Sequence, residues 1–160
     1  MTRHQIIRGA AGAVLAVLLL PLAPASSQMP RVAPAMQPVA ETRLLMEGLN
    51  QANFRGLERL LSHQPTDAAT WTFIRGQSLL IAESGNLLML RPPRDPQAYD
   101  AWMRYAAELR TAGERLARNA GTSDYERSRA SLNELANTCN RCHQAFRVPT
   151  RITPFAADNR

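Results

Sequence analysis

Apolar and polar residues alternate with helical periodicity along most of this chain. Over residues 41–62, a turn of about 100° per residue gathers five apolar side chains into one arc: Met46, Leu49, Leu57, Leu60 and Leu61. Asn50 and Asn53 fall in the same arc, which is unusual for an ordinary hydrophobic core. Pro65 ends the pattern, because proline cannot continue a helical hydrogen-bond ladder. We therefore predict a first amphipathic helix over residues 41–62.

A second helix is predicted between a cap and a pair of prolines. Thr66 or Asp67 can accept a hydrogen bond from the free backbone N–H groups of a first turn. Arg91-Pro92-Pro93 stops the helix near Leu90. Apolar residues recur between these signals: Trp71, Ile74, Leu80, Ile81, Leu87 and Leu88.

Start and stop signals also bound two further helices. Asp95-Pro96 combines a cap with a proline at the first helical position, and Asn119-Ala120-Gly121 ends this third helix. Ser123-Asp124-Tyr125-Glu126 has the capping-box pattern, in which a serine is followed three residues later by a glutamate. It begins a fourth helix, and Pro149 ends that helix.

Four amphipathic helices with short connections predict an all-α fold, an antiparallel four-helix bundle over residues 41–149. Residues 26–40 contain three prolines among small and polar residues and are predicted to form a flexible leader. Residues 150–160 are predicted to be a C-terminal tail.

Residues 1–25 have the pattern of a secretory signal peptide. Arginine and histidine near the start precede an apolar run from Gly9 to Leu20, and Ala23-Pro24-Ala25 fits the small-x-small cleavage pattern. The run is short for a membrane-spanning helix, which needs about 20 residues. We predict cleavage after Ala25, with an uncleaved membrane anchor as the alternative.

One short motif in the fourth helix carries the chemistry. Cys139-Asn140-Arg141-Cys142-His143 reads C-x-x-C-H, the attachment signature of a c-type haem. Positions i, i+3 and i+4 of a helix share one face, so both thiols and the imidazole point at the same object. The thiols can add to two porphyrin vinyl groups, and His143 can bind the iron. We predict one covalent haem c, which is added outside the bacterial inner membrane, and hence a periplasmic protein.

The same two cysteines also fit other chemistries. A C-x-x-C pair can cycle between dithiol and disulfide, usually where it opens a helix after a strand, whereas this pair lies near the end of a helical pattern. A structural zinc site needs four ligands, and the chain after residue 25 offers only Cys139, Cys142, His143 and the distant His63. A haem-free dithiol protein remains an alternative function.

The charge distribution argues against a nucleic-acid partner. The formal net charge is +6 and all the basic residues besides histidine are arginines, but they are interleaved with acidic residues. A basic balance favours an acidic redox partner through electrostatic steering. No acid–base pair or second metal site is evident, so we do not predict an enzyme.

In these features the chain resembles a class II cytochrome c, the cytochrome c-prime and cytochrome c-556 family. The resemblance covers residues 41–148 and rests on a single C-x-x-C-H near the C-terminus of an all-helical chain, with Phe146 and Arg147 just past the haem histidine. It implies a left-handed four-helix bundle, often a homodimer, with haem c near one end. It also implies an arginine early in the first helix beside a haem propionate, for which Arg43 is the candidate.

The sixth iron ligand is left between two alternatives. An up-down-up-down bundle places His63 at the end away from the haem and three methionines at the haem end: Met46, Met89 and Met103. Met46 is the candidate, although the distal position usual in the family, four residues after the arginine, is Glu47 here. A thioether ligand suits an electron carrier that serves periplasmic or membrane redox proteins. An open position instead suits a protein that binds small gases such as NO or CO.

Overall fold

The computed structural model describes residues 35–155, and no residue in this range lies in a strand. Helix α1 consists of three consecutive segments: α-helical Thr42–Leu45, π-helical Met46–Gln51 and α-helical Ala52–Leu60. Three longer helices follow: α2 (Ala68–Met89), α3 (Tyr99–Gly121) and α4 (Tyr125–Ala145). The predicted all-α class and the four predicted helices are confirmed.

Several predictions fall on residues outside the described range. These are the signal peptide over residues 1–25, most of the leader over residues 26–40, and the last five residues of the tail over residues 150–160. Among residues 35–155, no helix combines the length and the apolar character needed to cross a membrane.

Aspartate side chains begin three of the helical segments. Asp67 accepts a hydrogen bond from the backbone N–H of Thr70 at 2.8 Å, so it is the cap of α2. Asp95 accepts from the N–H of Gln97 at 3.0 Å and begins the short 3₁₀ turn Pro96–Ala98 that leads into α3. These two starts agree with the sequence signals.

The start of α4 differs from the predicted capping box. Its cap is Asp124, which accepts from the N–H of Arg127 at 3.0 Å. Ser123 has φ 53° and instead closes the end of α3. The N–H of Ser123 donates to Ala120 O at 3.0 Å and the N–H of Asp124 donates to Asn119 O at 3.1 Å. This is a Schellman motif, which requires its left-handed residue at position 123 and so takes Ser123 away from the cap.

The core is filled by aliphatic side chains from all four helices. Its fully buried members are Leu57, Leu61, Ile74, Ile81, Leu116, Leu132 and Leu135. Helices α2 and α3 approach backbone to backbone, because a Cβ added at Gly113 would lie 2.8 Å from Ala82 N and one at Gly85 would lie 2.6 Å from Ala106 O. Later residues of α2 therefore meet earlier residues of α3.

Helices α1 and α4 are held together differently from the other neighbours. Close packing joins α1 to α2, α2 to α3 and α3 to α4, whereas within the described residues α1 and α4 approach less closely. The residues after α4 reach across to α1. The N–H of Phe155 donates to Glu58 Oε1 at 2.7 Å, and the ring of Phe155 is buried. Residues 150–155 are thus part of the folded unit.

Candidate haem-attachment site

The two cysteines of the motif lie in the last turns of α4. Cys139 and Cys142 are both half-buried, neither is in a disulfide, and Cys139 packs against the hydrophobic core. They continue the face of the helix that buries Leu132 and Leu135, because these residues recur at intervals of three or four. The helix therefore turns both thiols toward the interior of the bundle.

Burial keeps both thiols protonated. It raises the pKa of Cys139 to about 12, with the neighbouring Cys142 adding to the rise. It also raises the pKa of Cys142 to about 11, with the Glu108 carboxylate contributing. A thiol that works by disulfide exchange needs a lowered pKa, because the thiolate is the nucleophile. This environment is unlike that of a reactive dithiol.

His143 makes a hydrogen bond that defines its tautomer. Its Nδ1 lies 2.9 Å from the backbone carbonyl oxygen of Thr150. A carbonyl oxygen can only accept, so Nδ1 carries the proton and the neutral ring keeps its lone pair on Nε2. Metal-binding histidines in proteins almost always have this arrangement, in which the second nitrogen donates to a carbonyl or carboxylate. The imidazole is thus oriented for a ligand at Nε2.

The remaining two residues of the motif secure the flanks of α4. Arg141 donates to Glu108 Oε2 on α3 at 3.0 Å. Asn140 bonds both backbone groups of Ile152, through Nδ2 to the carbonyl at 2.7 Å and through Oδ1 from the N–H at 2.8 Å. These contacts fix the rotation of the helix, and therefore the direction of the cysteine and histidine side chains.

A groove of about 530 Å³ lies between α3 and α4 beside Arg141. It is lined largely by ion-paired residues: Arg104, Glu108, Arg115, Glu134 and Arg141. Cys139, Cys142 and His143 are not part of its lining. The groove is therefore not a pocket for a cofactor held by the motif.

Phe146 packs the end of α4 onto α3. Its ring stands edge-on to Trp102, with the ring centroids 5.2 Å apart, and to Tyr105 at 6.2 Å. Trp102 in turn donates from Nε1 to Leu88 O on α2 at 2.8 Å. Three helices are thereby joined near the motif, and the aromatic residue after the histidine has a defined packing role.

Met46 lies in the π-helical segment of α1 and packs, half-buried, against the same core as Cys139. Its Sδ accepts a hydrogen bond from Asn50 Nδ2 at 3.4 Å. Met89 also packs half-buried against this core. Met46 therefore remains a candidate ligand by its location, but its thioether is already engaged by a neighbour.

Arg43 is exposed and pairs with Glu47, with 2.8 Å between Nε and Oε1. Its predicted propionate contact stays a prediction. Arg91 makes contacts with the backbone at this end of the bundle. It donates to Leu87 O at 2.6 Å and to Ala40 O at 3.0 Å, and so ties the start of α1 to the end of α2.

His63 is exposed in the loop between α1 and α2, beside the beginning of α4. Tyr125 and Arg129 donate to the carbonyl oxygen of Ser62, each at 3.3 Å. From there to His143 is most of the length of α4, about 27 Å at 1.5 Å per residue. The structure thus does not bring His63 together with the motif.

Sequence reasoning missed the roles of the Asn140 side-chain amide, which binds the backbone of Ile152, and of the Thr150 backbone carbonyl. The two middle residues of a C-x-x-C-H motif have no prescribed identity, and Pro149 indicated only that the helix ends. A polar amide inside the motif was the one available signal.

No family model, curated protein or solved structure matches this chain.

Proposed function

We propose that this protein is a class II c-type cytochrome that transfers electrons in the periplasm through one covalently attached haem. Cys139 and Cys142 are the attachment residues and His143 is the axial ligand. The observation that carries the proposal is the hydrogen bond from His143 Nδ1 to Thr150 O at 2.9 Å, beside two thiols on the same helix. This arrangement supports a metal bound at Nε2 and a porphyrin held beside it by the two thiols.

The proposal includes a left-handed antiparallel bundle, and the contacts between α2 and α3 support the antiparallel order of these two helices. Trp102 at the start of α3 meets Leu88 at the end of α2, and Gly113 further along α3 meets Ser78 earlier on α2. The looser approach of α1 to α4 provides the natural place for a flat cofactor between helices. Met46 on α1 and Cys139 on α4 both border the core there.

A c-type haem supplies a one-electron couple at iron when it is bound. The residues of the chain attach the haem, provide a ligand to its iron and control its surroundings. The cysteines prevent dissociation, and His143 presents Nε2. The buried side chains around the motif exclude water and thereby favour the less charged, reduced state. Arg43 is assigned to a haem propionate, which its exposed position allows.

A gas-binding protein with an open sixth position is the second candidate, and one contact favours it. The hydrogen bond from Asn50 occupies one of the two lone pairs of the Met46 thioether and restrains its orientation, so Met46 can bind iron only through the other lone pair. If that lone pair does not face the iron, the distal face consists of apolar side chains such as Leu45 and Leu49, which admit NO or CO. The haem-free dithiol protein is disfavoured by the raised pKa values of Cys139 and Cys142.

We further propose periplasmic or membrane redox proteins as partners and a homodimer through α1 and α2. The formal net charge is +6 for the full chain and +4 once Arg3 and Arg8 are removed with the predicted signal peptide, and this positive charge favours an acidic partner surface. Large apolar side chains are exposed on these two helices: Leu44, Phe73 and Leu80. A second copy would remove them from water.

Expression of the full chain in a host with c-type haem maturation tests the function. Mass spectrometry is expected to show one covalent haem, and the Cys142→Ala variant is expected to lose full attachment. Absorption spectra of the oxidised, reduced and CO-treated protein then separate the candidates. Low-spin spectra without a CO shift indicate the electron carrier, and high-spin spectra that shift with CO indicate the gas-binding protein. A chain without covalent haem would refute both.

A further inference from the structure

The chain turns back on itself immediately after α4. Arg147 has φ 56° and closes the turn. The N–H of Val148 donates to His143 O at 2.8 Å, and that of Arg147 donates to Gln144 O at 3.3 Å. This Schellman motif starts from the backbone of His143 itself. The residues that follow, 148–155, form a segment that we call the tail strap.

Two anchors hold the tail strap against the bundle. At the near end, the Asn140 amide forms two hydrogen bonds with the backbone of Ile152, at 2.7 and 2.8 Å. At the far end, Phe155 is 7% exposed, its N–H donates to Glu58 on α1, and the Arg129 guanidinium lies 3.9 Å from its ring centroid. Together with the turn at Val148, these anchors fix the strap at residues 148, 152 and 155, which leaves it little freedom in between.

The near anchor determines where the Thr150 carbonyl lies. Thr150 is two residues before Ile152, and its carbonyl oxygen is 2.9 Å from His143 Nδ1. Asn140 and His143 lie on the same turn of α4, three residues apart. The strap is thus held to the helix by the Asn140 side chain and accepts a hydrogen bond from His143.

We propose that the tail strap is the positioning element of the iron ligand, with Asn140 as the positioning residue. By holding Ile152, Asn140 keeps the Thr150 carbonyl oxygen within hydrogen-bond distance of His143 Nδ1. This hydrogen bond fixes the ring orientation and makes Nε2 a stronger electron-pair donor to the iron. A hydrogen bond of this kind raises the basicity of a metal-binding imidazole. It therefore favours oxidised iron and lowers the reduction potential. This inference rests on the proposed function of the same site.

The two hydrogen bonds between the Asn140 amide and the Ile152 backbone form a clamp, and one variant on each side removes it. Ile152→Pro removes the N–H that donates to Asn140 Oδ1 and leaves every residue of α4 unchanged. Asn140→Leu removes the amide and keeps a side chain of similar size. Both are expected to raise the midpoint potential of the purified holoprotein. In the diamagnetic reduced protein, which is the low-spin protein itself for an electron carrier and the CO complex for an open site, both are also expected to accelerate solvent exchange of the His143 Nδ1 proton.

Matched controls separate the hydrogen bonds from packing. Ile152→Ala removes the side chain but keeps both backbone groups that Asn140 binds. Asn133→Leu makes the same change one heptad earlier on α4, where the amide donates only to Arg129 O of its own helix at 3.2 Å. Both controls are expected to keep the wild-type potential and the wild-type exchange rate.

The outcomes distinguish this inference from the proposed function. Covalent haem with unchanged potential and proton exchange in both clamp variants would overturn the role of the strap and leave the cytochrome intact. A chain without haem would overturn the cytochrome alone, because ¹⁵N shifts of His143 in that chain still report the protonated nitrogen. In the neutral imidazole, the single N–H proton is expected on Nδ1 in the wild type and distributed between the Nδ1–H and Nε2–H tautomers in the clamp variants.

Discussion

Asn50 donates from its Nδ2 to the Sδ of Met46, 3.4 Å away, and both residues lie in the π-helical segment of α1. The Oδ1 of the same amide accepts from the Ser84 hydroxyl on α2 at 2.7 Å. Segments of π-helix are rare and are often found at functional sites. We therefore propose that the Met46–Asn50 pair decides between the two candidate functions, the electron carrier and the open gas site.

The Met46→Leu variant tests the sixth ligand. In the electron carrier, loss of the thioether is expected to give a high-spin iron that binds CO and has a lower midpoint potential, because methionine opposite histidine raises the potential. Leucine nearly preserves the volume, so the free energy of unfolding should fall by less than about 1.5 kcal/mol. Absorption spectra with CO titration measure the effect.

Met89→Leu is the control for Met46→Leu, because Met89 is also half-buried against the same core. It is expected to leave the spectrum unchanged. If the wild-type protein already binds CO and Met46→Leu has the same spectrum, the sixth position is open and gas binding replaces electron transfer as the proposed function.

The exposed apolar residues of the first two helices predict the oligomeric state. Phe73 is 58% exposed and Leu80, one heptad later on α2, is 49% exposed. Phe73→Glu is expected to weaken dimerisation by about tenfold or more, since burial of a phenylalanine side chain contributes about 1.5–3 kcal/mol. Analytical ultracentrifugation over a concentration series measures this. Leu79→Glu makes the same change on another face of α2 and should leave the dimer intact; equal effects would argue against this interface.

The raised thiol pKa values predict a loss of stability in alkali before haem is attached. Burial raises the pKa of Cys142 from 9.0 to about 11, and that of Cys139 from 9.0 to about 12. Above pH 9 the unfolded chain loses protons that the folded chain keeps, so the free energy of unfolding falls as the pH rises toward 11. Urea unfolding of the haem-free protein across this range should show the decline. Replacement of both cysteines by alanine should flatten it, and an unchanged slope would contradict the burial of the thiols.

The close approach of α2 and α3 predicts opposite effects at two glycines. A Cβ at Gly113 would lie 2.8 Å from Ala82 N and 2.9 Å from Ser78 O, and these backbone atoms cannot move aside. Gly113→Ala is expected to lower the free energy of unfolding by about 1–3 kcal/mol. A Cβ at Gly76 would meet nothing within 4 Å, so Gly76→Ala should raise it by up to about 1 kcal/mol. Urea unfolding compares the two, and a shared sign would contradict the packing.

The regular part of the fold was predictable because its signals are local. Asp67 and Asp95 cap the helical segments whose starts the adjacent sequence predicts. The motif at the end of α4 lies on an inward face because helical geometry requires it. The π-helical segment was not predictable, because the periodicity assumes a uniform turn of about 100° per residue. The π-helical segment contains one extra residue, so the residues before it are rotated about the helix axis by about 100° relative to the uniform pattern. Leu45 is therefore buried, although the uniform pattern places it outside the apolar arc.

The tail strap escaped prediction for a different reason. It has no regular secondary structure and is held by backbone groups of Thr150 and Ile152, whose bonding does not depend on side-chain type. The hydropathy and the residue spacing of the sequence therefore do not predict the tail strap. The motif identified Cys139, Cys142 and His143, but the group that orients His143 appears only when the chain is folded.

Ser123 shows how an end signal and a start signal compete for one residue, and it makes a prediction. With φ 53°, Ser123 carries the strain of the left-handed conformation, whereas Gly121 lies within right-handed α3. Ser123→Gly is expected to raise the free energy of unfolding by about 1 kcal/mol, because glycine adopts this conformation without a Cβ clash. Gly121→Ala should also raise it, by about 0.5–1 kcal/mol, since the new Cβ would lie an ordinary 3.6 Å from Arg75 Cδ. Thermal and urea unfolding of both variants measure the gains. Destabilisation by Ser123→Gly would mean that the serine, and not the backbone of the Schellman motif, determines where α3 ends and α4 begins.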